Sequence, residues 1–199
     1  MKLTAYHGDA KIKRRYLARV RAHRKADELI HGTYWEDGKG CAVGCTIHSG
    51  DHAAYETDLG IPMQLAHLED AIFEGLQNGK AQEWPAKFLS AIKPGADLSL
   101  VWPRFAVWML VDPKDGLLRG NMAADVRAAV EGVAACYQRR IDGDEPSEAE
   151  WSKAGEAAWA AWAARDAWDA RDAWDVFWPS CAAKLLSLLA SAPARRTEG

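Results

Sequence analysis

The apolar residues of this chain recur at helical spacing and nowhere at a period of two. Ile12, Tyr16, Val20, His23 and Ile30 fall on one face of a helix. No stretch alternates apolar and polar side chains with enough β-branched residues to read as a strand. Caps and turns separate the periodic stretches. Asp9 after Gly8 is an N-cap for a helix reaching about Ile30, which Gly32 ends. Asp37-Gly38, Ser49-Gly50, Gly60, Asn78-Gly79 and Pro94-Gly95 mark further breaks. Pro62 fits the start of one helix, Asp97 or Ser99 the cap of another ending at Val111, and Asn121 the cap of a third ending near Ile141. Ser147-Glu-Ala-Glu150 matches a capping box and opens a long helix to Trp178, with Pro179 starting a last helix to about Ala192. The expected fold class is all-α. Residues 1–141 form a compact bundle of short helices, and 147–192 a long Ala/Trp-rich helix and a final helix packed on the same domain.

With 199 residues, 49% of them hydrophobic, the chain can bury a core without disulfide or metal staples. The most apolar run, Val101 to Val111, holds Pro103 and Arg104 and is about half the roughly 20 residues a spanning helix needs. The N-terminus carries no apolar signal-peptide core, so a cytoplasmic location is expected, with no membrane partner. In that compartment Cys41, Cys45, Cys136 and Cys181 are free thiols or metal ligands. The last two sit in alanine-rich helical sequence as small core residues.

The net charge of −3 is unevenly distributed. Residues 1–30 carry nine Lys/Arg against three acids, a balance of +6 that leaves −9 for the remainder. Arg14, Arg15, Arg19, Arg21 and Arg24 on this first helix are candidate phosphate contacts, which bind nucleic acid without reading its sequence. The competing reading is a solvated surface paired with the acidic remainder. Tyr16 belongs to the core face.

The densest chemistry lies between Cys41 and His52. Cys41, Cys45, His48 and His52 are spaced i, i+4, i+7 and i+11, one stripe on a continuous helix. Thiolate and imidazole are good ligands for zinc or iron. One straight helix spreads the four over about 16 Å, so a shared metal needs the bend at Ser49-Gly50, or completion by His7 or His31. The same segment also suits thiol chemistry. A cysteine at a helix start beside Lys39 has its pKa lowered, with His48 one turn on from Cys45 as base and Glu56 or Asp51 to orient a histidine. Alternatively both cysteines are small buried residues, and the glycines around them serve tight packing.

The C-terminal third repeats Arg165-Asp-Ala-Trp-Asp-Ala170 as Arg171-Asp-Ala-Trp-Asp175. Six residues turn a helix by about 600°, so Trp159, Trp162, Trp168, Trp174 and Trp178 spread around its axis. Such a helix is either surrounded by others or presents a surface for a partner or a homo-oligomer.

Gly38-Lys-Gly-Cys-Ala-Val-Gly-Cys-Thr-Ile-His48, Tyr55-Glu56, Gly60-Ile-Pro62 and Leu68-Glu-Asp70, together with the Ala/Trp-rich helix, resemble a set of bacteriophage and bacterial proteins with no established activity. The resemblance implies a mobile-element context and assigns no site residue. Two functions follow as expectations. One is a phage-type intracellular accessory or inhibitor that binds a nucleic acid or nucleoprotein. The other is a Cys/His-dependent enzyme, using metal or thiolate chemistry through Cys45 and His48 on a nucleotide or modified DNA base.

Overall fold

The computed structural model describes residues 3–77, 79–119, 122–163 and 171–195, without the side chains of 157–163 and 171–175. The chain is predominantly all-α, as the apolar period predicts. It divides into two compact units, Met1–Ser99 with Trp174–Gly199, and Leu100–Ala173.

The first unit is built on helix α1 (Ala10–Lys25). Asp9 caps it, its Oδ1 accepting from the Lys11 amide at 2.6 Å. The helix stops at Lys25, short of the expected Ile30. Asp27 takes a left-handed conformation (φ 57), and the chain turns back so that the Ile30 amide donates to the Gly40 carbonyl at 2.9 Å. Tyr16, Leu17 and Val20 form its buried face. Two strands that the sequence did not announce follow, β1 (Trp35–Glu36) and β2 (Lys39–Gly40). They pair antiparallel across Asp37-Gly38, both at positive φ, a two-residue hairpin turn for which Asp-Gly is favoured. Strands of two residues are too short to leave a period-two pattern.

Helix α2 (Ala42–Ile47) begins at Cys41 and is closed by His48 in the left-handed conformation. Helices α3 (Ala54–Leu59), α4 (Met63–Gly75) and α5 (Gly79–Ala91) follow. Helix α1 packs on α2 and α5, and α4 packs on α2, α3 and α5. Their shared core holds Tyr16, Tyr55, Ile72, Phe73, Trp84 and Phe88, none more than 1% exposed. Each large apolar side chain so buried stabilises the fold by roughly 2 kcal/mol. From Trp174 onward the unit is completed by α9 (Arg171–Ser191), which runs through Pro179 without ending there. The expected break at that proline does not occur. The Trp178 ring lies where a side chain on Gly75 would stand, so the glycine admits it against the end of α4.

The second unit contains α6 (Val101–Val111), α7 (Ala124–Ile141) and α8 (Glu148–Ala163). Leu100, and neither Asp97 nor Ser99, stands at the N-cap of α6; Asp97 instead accepts from the Ser99 amide. The capping box forms as expected. Glu150 Oε2 accepts from the Ser147 amide at 2.7 Å, and Ser147 Oγ accepts from the Glu150 amide at 3.3 Å. Trp102, Tyr137 and Trp151 join the three helices edge to face. The expected cap at Asn121 falls outside the described residues, as do the side chains of Trp159, Trp162, Trp168 and Trp174 and the repeat from Arg165 to Asp175.

Candidate nucleic-acid interface and histidine relay

Helix α1 presents its charges in three directions. At about 100° per residue, Lys11, Arg14, Arg21 and Lys25 lie on one stripe that flanks the buried face on the side of Leu17. All four are exposed, and none has an ion-pair partner among the described residues. No acidic residue interrupts the stripe. Arg24 points elsewhere and pairs with Glu83 at 3.0 Å. Arg15 and Arg19 flank the Tyr16 ring, 4.8 and 4.9 Å from its centre. Arg15 also donates to the Tyr16 hydroxyl, which in turn donates to Asp58. Arg19 donates to the Thr46 carbonyl at 2.8 Å, close to the C-terminal end of α2. Of the five arginines read from the sequence, Arg14 and Arg21 are open, and the other three hold the fold as well as charging its surface.

Tyr34 and Trp35 lie across α2 because three glycines let them. A Cβ on Gly44 would stand 1.5 Å from the Tyr34 carbonyl oxygen, and one on Gly40 2.1 Å from it. Gly50 lies under the Tyr34 side chain. This close approach accounts for the glycines of the Gly38–Gly50 stretch. It also seats one aromatic ring on each of two histidines. Trp35 stacks on His48 with centroids 4.5 Å apart, and Tyr34 meets His52 edge-on at 5.4 Å.

The four Cys/His residues separate. Cys41 and Cys45 are buried, free thiols. Cys45 Sγ donates to the Gly40 carbonyl at 3.3 Å, and burial pushes its pKa up to about 12. Burial, with the Asp70 carboxyl nearby, also raises Cys41 far above the usual thiol range. The expected lowering of a thiol pKa at the helix start does not occur, because α2 is only six residues long and desolvation outweighs its dipole. His52 is buried, its Nδ1 donating to the Gly50 carbonyl and its ring stacked 4.1 Å from His67. Its Nε2 faces Asp70 at 3.7 Å. Among the described residues, no group of three His, Cys, Asp or Glu is arranged to hold a metal ion. The zinc or iron site expected of Cys41, Cys45, His48 and His52 is therefore not assembled: the bend at 49–50 carries His52 toward α4, while His48 turns toward α1.

His48 joins residues the sequence did not single out for chemistry. His23 Nδ1 donates to Glu28 Oε2 at 2.6 Å, and His23 Nε2 lies 2.8 Å from His48 Nε2. With His23 Nδ1 donating to Glu28, its Nε2 can accept the proton of His48 Nε2. His48 Nδ1 then carries a free lone pair, with no hydrogen-bond partner among the described residues. Burial, then Arg19, then His23 hold the His48 pKa below the ordinary histidine value, so the ring is neutral at pH 7. His23 reads from sequence as a core-face residue. Only the early end of α1 and the left-handed turn at Asp27 swing Glu28 back onto it.

No protein-family model matches the chain, and neither a curated protein nor a solved structure matches it.

Proposed function

We propose that this chain is a nucleic-acid-binding accessory protein of phage type, acting on a nucleic acid or nucleoprotein through the outer face of α1. One observation carries the reading: four exposed cations, Lys11, Arg14, Arg21 and Lys25, share a stripe with no acid on it and no ion-pair partner among the described residues. Cations paired with the acidic remainder of the chain would be structural. Unpaired and aligned cations are available to displace counterions from a phosphate backbone. Arg15 and Arg19 extend the positive surface along one side of the helix toward His48. The thiolate version of the enzyme reading has no support in these thiols, which are buried and hard to ionise.

The test is fluorescence anisotropy of labelled single-stranded RNA, single-stranded DNA and duplex DNA over rising KCl. Wild type binds with a steep salt dependence. Each phosphate contact contributes about 0.7 to 0.9 to the slope, so the double variant Arg14→Ala/Arg21→Ala lowers it by about 1.5. Absence of binding at low salt, or an unchanged slope in the double variant, overturns the proposal.

A further inference from the structure

The carboxylate–imidazole–imidazole chain has a geometry that binding alone does not need. Glu28, His23 and His48 are aligned by hydrogen bonds of 2.6 and 2.8 Å, and the terminal ring is clamped by its stack on Trp35. His48 is held at φ 57 by its place at the end of α2, which further limits how the ring can move. A carboxylate hydrogen-bonded to a histidine orients the imidazole and stabilises the charge it gains on taking a proton, and the Glu28–His23 pair is half-buried. Here a second imidazole carries that effect outward to His48 Nδ1, beside Arg19 and on the flank of the cationic helix. The groups facing His48 are His23 and Arg19 from α1, Glu28 from the turn after it, and Trp35 from β1.

We propose that His48 is a catalytic general base for cleavage of single-stranded RNA, with His23 and Glu28 as its positioning residues. The inference rests on the nucleic-acid reading above: Arg15 and Arg19, on the side of α1 between the open stripe and His23, supply the cations nearest His48 for the phosphate. The base needs a hydroxyl to act on, and in RNA the 2′-hydroxyl stands next to each bridging phosphate, a group that DNA lacks. His48 Nδ1 takes the proton of that hydroxyl. The 2′-oxygen forms a bond to phosphorus, the bond from phosphorus to the 5′-oxygen breaks, and water protonates the departing oxygen. The products are a 2′,3′-cyclic phosphate end and a 5′-hydroxyl end. As His48 gains its proton, the hydrogen between the two Nε2 atoms moves to His23, so the positive charge comes to rest against Glu28. His48 then returns its proton to water by the reverse shift.

The experiment incubates the full chain with a short labelled RNA and with DNA of the same sequence, and measures binding and cleavage in parallel. RNA is expected to be cut, with cyclic phosphate ends identified by mass spectrometry, while DNA is bound and left intact. His48→Asn suits the left-handed position, where asparagine is well tolerated. It is expected to lower cleavage about 100-fold or more and leave RNA binding unchanged. Glu28→Gln reads the same relay in a second way: cleavage falls, and the acid limb of its pH profile moves to lower pH, because Glu28 raises the His48 pKa. A merely structural Glu28 would leave that limb in place. RNA that is bound and stays intact overturns this inference alone, as does cleavage that His48→Asn matches. Failure to bind RNA overturns the inference together with the reading it rests on.

Discussion

His23 and His48 meet nitrogen to nitrogen, Nε2 to Nε2 at 2.8 Å, the distance of a hydrogen bond between two imidazoles. Glu28 at 2.6 Å from the far nitrogen of His23 decides which ring donates in it. The contact therefore fixes two tautomers at once and leaves His48 with an outward lone pair.

Those tautomers are directly observable. Nitrogen-15 correlation spectra of the histidine rings are expected to show His23 protonated on Nδ1 and His48 on Nε2 at neutral pH. His48 should titrate below the ordinary histidine value. In Glu28→Gln it should titrate lower still, because the carboxylate is the one neighbour that raises it against burial, Arg19 and His23. A His48 midpoint that rises or stays fixed in that variant contradicts the electrostatic account of the pair.

The two cysteines of α2 should be inert in the native protein. Both thiols are at most 1% exposed, and burial holds Cys45 at about 12. Thiolate is the reactive form, so a thiol reagent at neutral pH should label Cys41 and Cys45 only as fast as the fold opens. Comparing labelling with and without denaturant checks this, and rapid native labelling of Cys45→Ala compared with wild type identifies which thiol departs from expectation.

Gly44→Ala should be among the most damaging single changes. Its Cβ would stand 1.5 Å from the Tyr34 carbonyl oxygen, a backbone atom that cannot rotate away. The Tyr34–Trp35 segment would have to lift off α2, losing the stack on His48 and the edge-on contact with His52. A loss of about 3 kcal/mol is expected, at the upper end for overpacking, read from the midpoint of urea unfolding. Loss of the Trp35 fluorescence environment should accompany it.

These residues also show what a linear reading reaches. The helical period located the segments, and Asp9, Ser147 and Glu150 marked helix starts because capping is a local interaction between neighbours in sequence. Pro179 is no helix start, since α9 passes through it and tertiary packing around Trp178 outweighs one missing backbone bond. Of the readings open to Cys41 and Cys45, that of small buried residues among close-packing glycines holds. The pairing of His23 with His48, 25 positions apart, depends on where α1 stops, and that follows from the long-range bonds of Glu28 and Ile30 to Gly40. The stacking of His52 on His67 likewise needs α4 to fold back over the 49–50 bend. Spacing along one strand of sequence carries no trace of either.

Glu69 supplies a prediction with a definite sign. It is 0% exposed on α4, its Oε2 accepts the Tyr55 hydroxyl at 2.6 Å, and its Oε1 has no partner in the described structure. Burial raises its pKa well above 4.5, the Tyr55 bond opposing and Asp70 adding. The folded state therefore prefers the protonated acid, while the unfolded chain releases that proton near 4.5. Stability from this group is fully present below the unfolded value and is lost as pH rises toward the folded one. His48 and His67 act in the opposite direction. Both are lowered mainly by burial, so they cost stability as pH falls through 6.5 and below. Comparing wild type with Glu69→Gln cancels the histidines and isolates the carboxyl. Glutamine keeps an oxygen for the Tyr55 hydroxyl and cannot ionise. Its melting temperature should exceed that of wild type at neutral pH, and the gap should close as the pH is lowered toward 4.5, the unfolded value. A gap that is constant with pH, or that widens in acid, would mean that Glu69 is ionised in the fold and that an unseen cationic partner holds it there.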